Sequence, residues 1–367
     1  MTTARKNMAS ARILPLLPAL CAGTAVAAAP ADRTWPEKPG DAEVCLWRDD
    51  AFAAGSITID DNNAFDHAWW MEQAKRHDVR LTWFVITDNV DGPNKSFGGT
   101  WEGWQRLADA GHSIQSHSTN HRGPADKKAF TEAEWTSYYG GSKEAINSHL
   151  TNNACVCIAY PGGVGVNTFN PDYTKRFFIA GRGGSGTPNP PNRTNYLNVN
   201  AVSNPNVAPY LDVVLGRATD DPKLKWLNNP SFRRGWFVSI IHAVQARTNE
   251  VGALVSAFAS RRPELWVDTF PCIAKYGQER DTATVRTVSL GDGRIELELA
   301  DGMDDALFDE PLTVKVRLPD GWRAVRATQA GRPVAASVVA HDGASFALVG
   351  AVPDRGSVVV EKGSVRP

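Results

Sequence analysis

The pattern of apolar and polar positions changes character along the chain. From about residue 55 to 275, short apolar runs alternate with stretches of helical period. "GSITIDD", "VRLTWFVI", "HSIQSH", "CVCIAYPGG", "FFIAGR", "WFVSIIH" and "LWVDTF" are short, apolar and rich in β-branched residues, which predicts strands. Between them, "AFDHAWWMEQAKRHD" and "TWEGWQRLADAG" predict amphipathic helices, the second with Thr100 as N-cap and Gly111 as its stop. "AFTEAEWTSYYGGSKEAINSHL" predicts a longer helical stretch. Such alternation predicts an α/β domain, a parallel sheet or barrel with helices outside. Residues 183–234 break the pattern with a run rich in Asn, Pro and Gly, which reads as a cleft wall. After about residue 281 the helical periods stop. "RIELELA", "LTVKVRL", "PVAASVVA" and "SVVVEK", separated by Gly, Asp and Pro, predict a small all-β sandwich.

The N-terminus reads differently from both regions. Arg5, Lys6 and Arg12 precede the apolar run "ILPLLPALCAGTAVAAA", which ends in small residues at Ala-x-Ala spacing. That is the form of a secretory signal peptide over residues 1–28, and the run is too short and Pro-broken for a membrane span. The expected location of the mature chain is therefore periplasmic or secreted. An oxidising compartment permits a disulfide between Cys45 and one of Cys155 or Cys157; Cys272 is the fourth cysteine after the leader. The charge balance of 39 Lys+Arg against 40 Asp+Glu offers no basic face, so nucleic acid is not an expected partner. Twelve Trp allow sugar-stacking platforms: Trp101, Trp104 and Trp226 are candidates for a cleft rim, while Trp69, Trp70, Trp83 and Trp236 fall in core patterns.

The residues able to do chemistry gather at the ends of the expected strands. Asp60 and Asp61 end "GSITIDD", His117 and His121 lie in "SHSTNH", Arg182 ends "FFIAGR", and His242 ends "WFVSIIH". In α/β folds the loops at the carboxyl ends of strands build the site. Two imidazoles four residues apart can supply two nitrogens to one divalent ion. One of two adjacent carboxylates at a strand end can complete the set, and the other is then free as a base. The other histidines, His67, His77, His112, His149 and His341, read as structural or solvent-facing.

These residues carry a resemblance. "SITIDDNN", "SHSTNH", "IAYPGG", "AGR" at 180–182 and "SIIH" resemble the successive motifs of the polysaccharide deacetylases of the NodB-homology type, carbohydrate esterase family 4. The resemblance covers roughly residues 45–275 and implies a distorted (β/α) barrel over 33–280, with the sandwich over 281–367 outside it. It implies a metal-dependent hydrolase that removes acetyl groups from a polysaccharide or oligosaccharide. Asp61, His117 and His121 would hold Zn2+, or another divalent ion such as Co2+ or Ni2+. Asp60 would be the general base and His242 the general acid. Gly162 would offer a backbone N–H to the oxyanion. The chain departs from the family at Asn62-Asn63, where Gly-Pro is usual, at Gly162, where an aromatic is usual, and at Ala159, where an arginine steadies the base; Arg182 is the expected replacement. N-deacetylation of an amino-sugar polymer is the first expectation, O-deacetylation of a polysaccharide such as xylan the second, and a non-catalytic carbohydrate-binding protein on the same fold the third.

Overall fold

The strand ending in the two aspartates, β2 (Ala53–Asp60), is buried along its whole length. β1 (Ala42–Val44) precedes it. In the computed structural model, which describes residues 33–122, 130–163 and 169–363, β2 lies between neighbours on both sides of a parallel sheet. β3 (Thr82–Val85), β4 (Ser113–Ser116), β5 (Cys157–Ala159), β6 (Ala180–Arg182), β7 (Trp236–Ile241) and β8 (Leu265–Val267) are its other strands. Their order is β6-β5-β4-β3-β2-β7, with β8 pairing the start of β2. All of these pairs are parallel, so every site-bearing strand end opens on one rim. Helices cover the outside, which is why such strands read as continuous apolar runs. The residues assigned to the signal peptide lie outside the described residues. Among those described, no helix is long and apolar enough to cross a membrane.

The Asn- and Pro-rich run, expected as a cleft wall, pairs with the sheet. Val199 bridges Arg182 of β6 and Val202 bridges Ser239 of β7, both in parallel sense. Backbone bonds Gly183 N–H to Val199 O (2.8 Å) and Ile240 N–H to Val202 O (2.9 Å) continue this pairing. This short segment thus closes the open sheet into a distorted barrel. Its irregular sequence hides the pairing because the rungs are single bridges rather than a ladder.

The expected helix caps form as the sequence implies. The Thr100 side chain accepts from Gly103 N–H (3.1 Å) at the start of helix Trp101–Asp109, and Gly111 follows it with φ of 85°. The long helical stretch is instead three pieces. Glu132–Trp135 and Ser142–His149 are α-helical, and Thr136–Gly141 between them is a wide π turn containing Gly140-Gly141. A Cβ on Gly140 would lie 2.8 Å from the Phe177 ring, so the bare backbone there lets that ring approach.

Past helix Phe270–Thr282 come two antiparallel sheets. One has the order β1-β11-β15-β14, with β11 (Leu312–Arg317), β14 (Ala336–His341) and β15 (Ala344–Ala351). The other, β13-β12-β16-β10-β9, contains β9 (Thr284–Gly291), β10 (Arg294–Ala300), β12 (Val325–Gln329), β13 (Arg332–Val334) and β16 (Val358–Lys362). β1 comes from the other end of the chain and pairs with β11, Glu43 facing Lys315. Lys315 is fully buried. Its ammonium reaches Asp50 (2.9 Å), Glu43 (3.3 Å), the Thr34 carbonyl and the Trp35 ring. A buried ammonium persists only with such partners, and all of them come from the N-terminal segment.

Most of the tryptophan is core. Trp47, Trp70, Trp83, Trp104 and Trp236 are fully buried. Trp104, expected at a cleft rim, instead packs edge-on against His67 and donates to Gly98 O (3.1 Å). Trp101 stacks on His149, and Trp226 is half exposed beside Tyr210. The four cysteines Cys45, Cys155, Cys157 and Cys272 are all buried and free, so the disulfide that the sequence permits at Cys45 is not formed. Burial raises each thiol well above its usual range, which keeps them inert.

Candidate metal and catalytic site

Two strand ends converge on one point. Asp61 follows β2, while His117 and His121 follow β4. One ligand-type atom from each of the three lies within 4.8 Å of the others. Asp61 Oδ1 is 3.5 Å from His117 Nε2 and 3.5 Å from His121 Nε2. The buried His117 gives its Nδ1–H to the Ala159 carbonyl (2.8 Å), which fixes the tautomer and leaves the Nε2 lone pair facing the aspartate. Burial pushes its pKa down against the pull of Asp60, so the ring is held toward neutral. Asp61 Oδ1 is itself buried without a hydrogen-bond partner. A carboxylate oxygen without a hydrogen-bond partner, facing two imidazole nitrogens, is a poor arrangement for a protein alone and a good one for a cation. Aspartate with two imidazoles is a set that zinc and its neighbours take, so these residues fit such an ion.

The backbone is bent to bring them together. Asp61, Asn63, Ser118 and His121 all have positive φ, between 44° and 66°, in the left-handed region. Four such non-glycine residues in two short segments are strain concentrated at one place, as at many working sites. Ser118 and His121 are tied locally: Ser118 N–H donates to Ser116 Oγ (3.0 Å) and His121 N–H to Ser118 Oγ (3.1 Å).

Asp60 is kept out of this set. Arg182, from the end of β6, is paired with its Oδ2, and the guanidinium also donates to Gly183 O (3.0 Å) and lies over Phe84. Both residues are buried. Burial by itself would raise the Asp60 carboxyl, but Arg182, His117 and His242 outweigh it and hold the group below its ordinary value. The other oxygen, Oδ1, is buried and unpartnered. An ionised carboxylate with one oxygen clamped and one free is arranged to accept a proton.

His242 closes the other side. Its ring is half exposed, with Nε2 3.8 Å from Asp61 Oδ2. Gly162 lies in the exposed turn after β5 at the same rim, with φ of 71°. The residues expected to bind metal or act in catalysis therefore lie at this end of the barrel, and Arg182 makes the contact with Asp60 expected of it.

Three residues near the site have roles that the sequence did not show. Asn62 reaches across to the next strand end, donating to Ile86 O (3.3 Å) and Gly98 O (2.9 Å) and accepting from Ile86 N–H (3.0 Å). Asn63 donates to Asp60 O (2.9 Å). Asp66 is buried and accepts from the loop that carries His242. All three act on backbone groups, which leave no signature in a sequence. The two asparagines hold the turn after β2 through side-chain hydrogen bonds.

Residues 54–175 match the polysaccharide deacetylase family. Over 354 residues the chain is 34% identical to a gellan lyase from a Bacillus species; the match covers 91% of this chain and 14% of that protein, so the chain spans about one-seventh of its relative's length. Among solved structures, the Bc1960 peptidoglycan N-acetylglucosamine deacetylase aligns with a TM-score of 0.38 at 16% identity, covering 60% of this chain and 88% of that one. A family 4 carbohydrate esterase from Streptomyces lividans aligns with a TM-score of 0.38 at 13% identity, covering 59% and 91%. The deacetylase-family match spans β2 to the helix before β6, and so takes in Asp60, Asp61, His117 and His121.

Proposed function

We propose that the chain is a metal-dependent hydrolase that removes acetyl groups from a glycan, with N-deacetylation of an amino-sugar polymer as its reaction. The observation that carries this reading is the partition of the two aspartates. Asp61 joins His117 and His121 in a cation-ready set, while Asp60 is held out of it by Arg182 with one oxygen free. A module that only binds sugar has no use for a buried, clamped base beside a cation site.

Asp61, His117 and His121 would hold the ion, with zinc as the proposed metal. Such an ion supplies Lewis-acid polarisation of an acyl oxygen and makes a nearby water more acidic. Asp60 takes the proton from the attacking water, whose oxygen forms the new bond to the acetyl carbon. The bond from that carbon to the sugar nitrogen then breaks, and His242 gives its proton to the departing nitrogen. The Gly162 N–H donates to the oxygen that becomes negative in between. The products are acetate and the free amine. With an O-acetyl group the same residues release an alcohol.

An acetate-release screen tests the reading. It should span acetylated amino-sugar oligomers, acetylated xylan and gellan, the last because of the Bacillus relative's name, each with and without chelator. Chelator-sensitive release from an amino-sugar oligomer is the expected result. Release only from an ester-bearing polymer would move the chemistry to O-deacetylation, and release from none would sink the proposal. The leader reading puts this activity in the periplasm or outside the cell.

A further inference from the structure

His242 is the least supported member of the site by its own side chain. The ring is half exposed, and its nearest partner, Asp61, is 3.8 Å away and beyond hydrogen-bond reach. Its position is therefore set by its backbone. β7 ends at Ile241, so His242 begins the loop that leads through Gln245–Arg247 into helix Thr248–Ala259. That loop has one anchor in the catalytic rim. The buried Asp66 accepts from Val244 N–H through Oδ2 (2.6 Å) and from Gln245 N–H through Oδ1 (3.5 Å). Val244 itself is fully buried.

Asp66 is in turn fixed to the base. It ends the 3-10 turn Ala64–Asp66, whose preceding residue Asn63 holds the Asp60 carbonyl (2.9 Å). A short chain of hydrogen bonds thus runs from the Asp60 backbone through Asn63, the turn and Asp66 to the backbone just past His242. A charged carboxylate accepting a backbone N–H at 2.6 Å is a charge-assisted and strong tie.

We infer that Asp66 is the positioning residue of His242: it sets the distance between the base on β2 and the acid after β7. Asp66 touches neither substrate nor cation, and its effect passes only through the loop. This inference rests on the role given to His242 above.

The test uses leaving groups of different need. A sugar amine or alkoxide leaves only with a proton, whereas nitrophenolate leaves without one. Parent, Asp66→Ala, Asp66→Asn and His242→Ala are assayed on the glycan that releases acetate and on 4-nitrophenyl acetate, with metal content measured for each. His242→Ala should lose glycan kcat by about two orders of magnitude or more, the usual worth of a positioned acid, and lose far less on the aryl ester. Asp66→Ala should show the same selective loss at roughly ten- to hundred-fold, with KM and metal content near those of the parent. Asp66→Asn, which keeps one acceptor oxygen, should fall between, and it carries the test if the alanine variant does not fold. An Asp66 variant that matches the parent, or that loses both substrates equally, overturns the inference while the reaction assignment stands. A His242→Ala variant without the selective pattern instead removes the acid role, and the functional reading fails with it.

Discussion

Two aspartates adjacent in sequence have opposite surroundings, and this is where single substitutions should speak most clearly. Asp60 has a guanidinium on one oxygen and nothing on the other; Asp61 has two imidazoles and the half-exposed His242 around it. Asp60→Asn leaves the cation set untouched. It should keep metal by elemental analysis and lose acetate release by roughly two to four orders of magnitude. Asp61→Asn should instead bind metal weakly, with excess metal restoring part of the activity. The opposite pattern would exchange the two roles. His117→Ala should likewise empty the site, since it removes a buried ligand whose orientation the Ala159 carbonyl already fixes. A His117→Ala protein with full metal occupancy would remove this residue from the set. These side chains were legible in the sequence because metal and acid–base chemistry need particular residue types at particular strand ends. The roles of Asn62, Asn63 and Asp66 were not, since a side chain that holds a carbonyl or an N–H can be many residue types at many positions.

At the scale of elements, strands and caps were readable because each rests on local pattern, whereas the barrel's closure rests on two isolated bridges inside a polar run. Helix Phe270–Thr282 shows how an element couples to its surroundings. Glu279, in its last turns, is buried, and both its oxygens accept from Glu310 N–H (3.1 and 3.2 Å). Burial raises its carboxyl from the ordinary 4.5 to about 8. The Glu310 N–H and Lys275 work against that rise, and the nearby Asp301 and Glu310 add to it. Between those two values the folded chain keeps the proton and the unfolded chain releases it. Folding therefore takes up a proton there, and stability falls as pH rises from about 4.5 to about 8. Glu279→Gln keeps one acceptor and cannot ionise. Its Tm should fall less than that of the parent between pH 5 and pH 8.5, and equal slopes would mean that Glu279 is already charged in the folded chain.

For the whole molecule, the sequence showed two compositional halves but not how they are joined. The join depends on a strand from the beginning of the chain entering a sheet made at its end, and long-range pairing of that kind has no local signal. β1 is an edge strand of the β1-β11-β15-β14 sheet, and Asp50, Glu43 and Trp35 surround the fully buried Lys315 ammonium. Tyr276 donates to Cys45 O (2.9 Å) and accepts from Thr313 N–H (3.3 Å), so one phenol touches the N-terminal segment, the last barrel helix and the sandwich. Truncation after Asp281 would remove β11, leave Asp50 without its ammonium, and expose the faces of Trp47 and Tyr276 that now pack in a shared core. The expected result is an aggregating chain that takes up little metal, although every proposed catalytic residue is still present. The intact protein should unfold in one calorimetric transition, because neither half keeps its core without the other. Two well-separated transitions, or a soluble truncated chain that melts cooperatively with metal bound, would show that the barrel folds alone and that β1 is a tether added to it.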